Sequence, residues 1–251
     1  MTARTGAPGL EVVEYTDPFC PWAWGSEPRL RVLHRMLAGA ARHRRVFGIL
    51  FDDDEEPAPD PAAETAWYAR YLAEVAGHTG APRAAVLGWV AASSRPASLA
   101  AAAAERQGPE VAERVLRRLR ETVFVQGEPA DSPARVRAAL CGVPELDLDR
   151  LVAEADSAEV RERVRRDHAE TRRPVPEVIG LRADGPHPGA AKETEDGHRY
   201  ALPTLLFHGP AGRRAVPGWR PLAAYLAAAA AVCPGLEPAP VELSPEERRL
   251  G

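Results

Sequence analysis

Residues 10–28 read LEVVEYTDPFCPWAWGSEP. Leu10 to Tyr15 is short and β-prone, Asp17-Pro18 breaks it, and beyond Trp22 the residues Leu30, Leu33 and Leu37 recur at helical spacing. The tetrapeptide Cys20-Pro21-Trp22-Ala23 therefore lies where a predicted strand turns into a predicted helix. A sulfur at a helix N-terminus meets unpaired backbone N–H groups and the positive end of the helix dipole. Both favour thiolate over thiol, so the sequence predicts a Cys20 pKa well below that of a free cysteine. The segment reads as a redox motif lacking its second cysteine, since Ala23 stands three residues after Cys20.

Working outward, the chain has 251 residues and a formal net charge of −4, enough length to bury a sizeable core without disulfide staples. Its three cysteines, Cys20, Cys141 and Cys233, are far apart. That number and spacing support neither a disulfide framework nor a structural zinc site, and favour free thiols in a reducing, cytoplasmic setting. The first fifteen residues have no apolar run of signal-peptide length, and no stretch approaches the roughly eighteen apolar residues of a membrane span. The acidic balance and dispersed Arg residues argue against a nucleic-acid partner. Runs such as Arg42-His43-Arg44-Arg45 read as a solvated helix face or strand edge. Nucleotide-binding glycine loops, a serine nucleophile elbow and His pairs at zinc-protease spacing are absent from the sequence. No metal is expected. A single lysine, Lys192, among many Arg, Ala, Pro and Gly residues suggests a GC-rich genome.

The expected order of elements is strand, helix, strand, a long helical stretch, strand, strand, helix. Val46 to Phe51 has the continuous apolar character of a buried strand, and the acidic, proline-rich Asp52 to Pro61 reads as an exposed connection. From Ala62 to about Arg172 the signals are helical, punctuated by Gly and Pro into five or six helices. Ser132-Pro133 has N-cap and N1 chemistry, and Asp156-Ser157-Ala158-Glu159 fits a capping box opened by Asp156. Arg173 to His198 is polar and rich in Pro and Gly, a predicted long loop with room for one short strand. Ala201 to Phe207 reads as a strand that begins at a proline, followed by a turn and a short strand ending near Val216. Pro221 to Val232 closes the fold as a helix, with 234–251 expected as a flexible surface tail.

Four features in this order resemble the DsbA-like branch of the thioredoxin superfamily. They are Asp17-Pro18-Phe19-Cys20-Pro21-Trp22 at a strand-to-helix junction, Pro28 eight residues after Cys20, Leu202-Pro203-Thr204 opening a late strand, and the hairpin, Val216-Pro217-Gly218 and terminal helix that follow. The chain is similar to the FrnE-like and 2-hydroxychromene-2-carboxylate isomerase-like group, which is related to kappa-class glutathione transferases. The resemblance implies an α/β, thioredoxin-like fold with a large all-helical insertion between the second and third core strands. It divides the chain into a core from 1–56 and 199–233, an insertion from 57–172, a connecting loop from 173–198 and a tail from 234–251. It also implies a cis peptide before Pro203.

Carried onto these residues, the resemblance makes Cys20 the catalytic nucleophile within the motif Pro21, Trp22 and Ala23. Leu202, Pro203, Thr204, Trp24 and Trp219 become expected substrate- or thiol-binding residues, with core packing the alternative for the two tryptophans. Without a resolving cysteine, a mixed disulfide must be cleared from outside, by a low-molecular-weight thiol such as mycothiol, glutathione or bacillithiol. The expected partner is a small thiol or a thiol/disulfide substrate, with a homodimer compatible with the relatives. The alternatives are a thiol-dependent transferase or isomerase, and a non-catalytic binding module.

Overall fold

The computed structural model of the protein describes residues 9–52 and 58–250. The chain opens with β1 (Leu10–Thr16), α1 (Pro21–Met36) and β2 (Ala41–Phe47). Six α-helices follow among the described residues: α2 (Pro61–Thr79), α3 (Arg95–Ala104), α4 (Pro109–Glu121), α5 (Pro133–Leu140), α6 (Leu148–Ala155) and α7 (Ala158–Thr171). Then come the hairpin β3 (Ala191–Thr194) and β4 (Gly197–Tyr200), the strands β5 (Thr204–Gly209) and β6 (Gly212–Pro217), and the helices α8 (Leu222–Val232) and α9 (Pro245–Leu250).

The main sheet has the order β2-β1-β5-β6. β1 runs parallel to β2, with Leu10 opposite Ala41 and Thr16 opposite Phe47, and antiparallel to β5, with Tyr15 opposite Thr204. The period-2 geometry of a strand divides β1 between two cores. Leu10 and Val12 pack with Leu30, Leu33 and Leu37 of α1 and with Tyr225 and Val232 of α8. Val13 and Tyr15 face the other way, toward Val178, Tyr200 and Leu202. A third core fills the helical insertion, where Ala100 to Ala104 of α3 are all buried and the helix packs on α4, α6 and α7. Alanine allows this close approach and is the best helix former.

Local capping follows the sequence with one shift. Asp60 accepts from the Ala62 and Ala63 N–H groups at the start of α2, and Ser132 caps α5 by accepting from the Arg135 N–H. At α7 the cap is Ser157, which accepts from the Val160 N–H, rather than the expected Asp156. Helix α6 runs through Ala155 and uses Asp156 to close, leaving the next residue to open α7.

Three expectations about elements are corrected. The second strand is Ala41–Phe47 rather than Val46 to Phe51: its Arg-rich half tolerates solvent because β2 is an edge strand, and the chain leaves the sheet where Gly48 donates to the Thr16 carbonyl. The expected 173–198 loop ends in the β3–β4 hairpin, which crosses the expected boundary at 198/199 and pairs Ala191 with Tyr200. The tail is tied down as well: the Ala239 N–H donates to the Met36 carbonyl, Glu246 bonds Arg31 and Arg117, and Glu247 bonds Arg35. Residues 53–57, inside the expected acidic connection and across the expected boundary at 56/57, lie outside the described residues.

Candidate active site

Cys20 is the N-cap of α1, with extended backbone angles and Pro21 occupying the first helical turn where its missing N–H costs nothing. The turn before it is built on Asp17. One Asp17 carboxylate oxygen accepts from the Phe19 N–H at 2.7 Å; the other accepts from the Leu50 N–H and the Ser94 hydroxyl, both at 2.8 Å. One buried side chain thus joins the end of β1, the segment after β2 and the start of α3. The Leu202-Pro203 peptide is cis, and the Pro203 carbonyl accepts from the Gly218 N–H at 2.8 Å. This places the Leu202 carbonyl beside the sulfur: Cys20 Sγ–H donates to it at 3.3 Å.

That contact suits a protonated thiol. Burial pushes Cys20 up from 9.0 to about 11, and the Asp17 carboxylate adds to the rise; the N–H groups of Ala23 and Trp22 and the Lys192 ammonium pull the other way without prevailing. The expected lowering of the Cys20 pKa is therefore corrected for the free protein. The helix N-terminus is present, but the side chain is only 3% exposed, and desolvating a thiolate outweighs the benefit of one helix end. Burial also raises Asp17, against the lowering effect of its hydrogen bonds and of Arg120.

The sulfur opens onto a cleft of about 270 Å³. Cys20, Pro21, Trp22 and Leu202 form its floor, and Glu64, Trp67, Tyr68 and Tyr71 of α2 form one wall. His187, Lys192 and Arg199 bring the 173–198 segment to the same cleft. The Trp22 indole donates to the Tyr71 hydroxyl at 2.8 Å, and its ring lies 5.1 Å from that of His187. His187 is buried, and that burial, followed by Lys192 and Arg220, lowers its pKa to about 4, so the ring is neutral near pH 7. Its segment is held by the Arg220 guanidinium, which donates to the His187 carbonyl at 3.1 Å. Gly218 is needed here: it has φ +67, and an added Cβ would collide with the His187 carbonyl oxygen and come within 2.5 Å of Nδ1.

The structure therefore brings Cys20, Pro21, Trp22 and Leu202 together at the cleft, with Pro203 next in the chain through the cis bond, and separates the remaining expected residues from the cleft. Ala23 is fully buried in α1, with its N–H rather than its side chain facing the sulfur. Thr204 turns inward and donates to the Ala201 carbonyl at 2.6 Å, because the buried hydroxyl needs a partner. Trp24, one residue beyond Ala23 on a helix, points to the insertion, where it donates to the Pro82 carbonyl and stacks on Phe124 at 5.9 Å. Trp219 packs under Arg29, whose guanidinium lies 4.3 Å from the ring centre. Cys141 and Cys233 are free, at the C-caps of α5 and α8. Sequence reasoning missed Glu64, Trp67, Tyr68 and Tyr71, although the spacing of the last three with Glu64 marks one helical face. It also missed the hairpin cations, whose only signal was the lone lysine.

A family model described as thioredoxin matches residues 14–173. The chain belongs to the thioredoxin family. It is 31% identical over 150 residues to the ClpXP adapter protein SpxH of Shouchella clausii strain KSM-K16; the match covers 59% of this chain and 48% of that protein, about half its length. Among solved structures it is similar to a candidate protein disulfide isomerase from Nitrosomonas europaea, with 17% identity, TM-score 0.63, and coverage of 86% of this chain and 93% of that one. It is also similar to the cytosolic disulfide reductase DsbM of Pseudomonas aeruginosa, with 15% identity, TM-score 0.56, and coverage of 87% and 93%. At these identities the structures carry the fold alone. That fold is the DsbA-like form of the thioredoxin architecture, with its helical insertion. Among the described residues, no helix is long and apolar enough to cross a membrane.

Proposed function

We propose that the protein is a thiol-disulfide oxidoreductase of the DsbA-like kind that works through Cys20 alone and relies on an external low-molecular-weight thiol. The observation that carries this reading is a cysteine at the N-cap of α1, opposite the Leu202-Pro203 segment and at the floor of an open cleft, with Ala23 in the resolving position. In the first step Cys20 loses its proton and its sulfur attacks one sulfur of a disulfide. The Cys20–S bond forms, the substrate S–S bond breaks, and the departing thiolate takes up a proton. In the second step an external thiol attacks the mixed disulfide, regenerating Cys20–SH and releasing a new disulfide. Each step is an exchange, so no further oxidant or reductant enters. The N–H groups of Trp22 and Ala23 favour the thiolate during attack. Similarity to structures described as a disulfide isomerase candidate and a disulfide reductase supports this chemistry.

Intact-mass measurement after incubation with oxidised glutathione, bacillithiol and mycothiol tests it. The expected result is one adduct, lost in Cys20→Ser and cleared by added thiol. Transferase or isomerase chemistry would show instead as turnover that needs added thiol but leaves no net oxidation. A second reading, a binding module, is favoured by the buried, protonated Cys20 and by a relative named as an adapter. The absence of any adduct would support that reading.

A further inference from the structure

The β3–β4 register sets Lys192 directly opposite Arg199, and both line the cleft that holds Cys20. Like charges directly opposite on a ladder destabilise it. Several cations around β1 and α1 are paired: Arg45 with Glu14 and Glu113, Arg44 with Glu170, Arg35 with Glu247. Among the described residues neither Lys192 nor Arg199 makes an ion pair, and Arg199 bonds only the Tyr200 carbonyl, at 3.1 Å. Burial at the cleft and the adjacent Arg199 hold the Lys192 ammonium below the ordinary lysine range, while the Cys20 sulfur acts to raise it. Across the cleft the carboxylate of Glu64 is likewise without an ion-pair partner among the described residues, and Trp67 and Tyr71 stack beside it with ring centres 6.0 Å apart.

We propose that Lys192 and Arg199 form a carboxylate grip that selects anionic thiols and disulfides for Cys20 over neutral ones. A bound carboxylate would supply the charge that the ladder lacks, and it would sit on the wall beside the sulfur. The grip rests on the reading of Cys20 as the site of thiol exchange, and it narrows the three expected thiols to those with acidic groups. Glutathione and bacillithiol bear carboxylates; mycothiol, built on neutral sugars, does not. Glu64 on the opposite wall gives the cleft a second pole, suited to the ammonium end of an amino-acid thiol. The grip is partly open to solvent, so its effect on rate is moderate and weakens with salt.

Two measurements test the grip and separate its failure from failure of the exchange chemistry. In a Cys141→Ser/Cys233→Ser background, mass spectrometry would follow Cys20 adduct formation with oxidised glutathione and with neutral 2-hydroxyethyl disulfide. Lys192→Gln/Arg199→Gln is expected to slow the first by about tenfold more than the second, which slows only through the lost Lys192 charge near the sulfur. Equal slowing of both, or of neither, overturns the grip while leaving the exchange reading intact. Calorimetric titration of Cys20→Ser with S-methylglutathione, which cannot exchange, reads the grip without chemistry. Binding that weakens with salt and is lost in the double variant supports the grip even if no adduct ever forms. No binding, or binding indifferent to the two substitutions, overturns it.

Discussion

At the scale of the residue, Cys20 shows two neighbouring influences in opposition. The helix N-terminus favours thiolate, but burial against Leu202 and the charge of Asp17 favour thiol, and the thiol prevails. In the Cys141→Ser/Cys233→Ser background, alkylation of Cys20 by iodoacetamide is expected to rise with pH around a midpoint near 11. Asp17→Asn should move that midpoint downward, since it removes a charge that raises the thiol pKa. A midpoint at or below about 8.5 in the parent would mean that the helix end dominates after all. Linkage gives the same sign for stability. A raised folded pKa means that the Cys20 contribution is complete below 9.0 and fades as pH climbs toward 11. The motif made Cys20 legible from sequence, but its desolvation came from residues up to 182 positions away, which no local pattern encodes.

At the scale of the element, the sequence located β1, β5, β6 and several helix starts but misplaced β2, because capping and period-2 alternation are local whereas an edge strand rich in Arg lacks the apolar signal. It missed the docking of the C-terminal segment, which depends on charges distributed over α1, α4 and α9. Glu247 accepts from Arg35 and from the Ser244 N–H, and these contacts, with Arg35 first, hold its carboxyl down to about 2 despite burial. A lowered carboxyl contributes stability above its ordinary value of 4.5 and loses it as pH falls toward 2. Hydrogen-exchange mass spectrometry should therefore show α9 protected at pH 7 and markedly less so at pH 3. Glu247→Gln should expose it at both. Equal protection of α9 at the two pH values would show that Ala239 and the apolar contacts suffice to hold it.

At the scale of the whole molecule, the insertion and the sheet are joined through buried charge. Glu14 of β1 meets Arg45 of β2 at 3.1 Å and Arg120 of α4 at 3.8 Å, and Arg120 also donates to the Thr16 hydroxyl at 3.0 Å. Burial alone would raise Glu14, but Arg45, His34 and Arg120 together leave it below the usual carboxylate range. Replacing one partner leaves the others charged and desolvated, so Arg120→Met is expected to destabilise the protein by about 3–5 kcal/mol. Urea unfolding at pH 7 would measure this, and a loss under about 1 kcal/mol would mean that solvent reaches the network. The same network explains why Glu14 and the Arg42 to Arg45 run looked unremarkable in the sequence. Beyond the Glu14–Arg45 pair between β1 and β2, partners come from distant helices: Arg120 and Glu113 of α4 and Glu170 of α7.

The sequence by itself determined the place of Cys20 and the strand-to-helix turn that presents it, which are written in short-range pattern, and its resemblance to the DsbA-like branch supplied the cis peptide before Pro203 and the helical insertion. Only the tertiary structure decided which side chains surround the sulfur. It turned Trp24 and Thr204 inward, brought α2 and the β3–β4 hairpin to the cleft, and buried Cys20 deeply enough to reverse its expected pKa. The reason is physical: secondary structure follows from neighbours along the chain, whereas desolvation and charge pairing depend on distances in space. The position of Cys20 follows from the first. Its protonation state, and the cations that share its cleft, follow from the second.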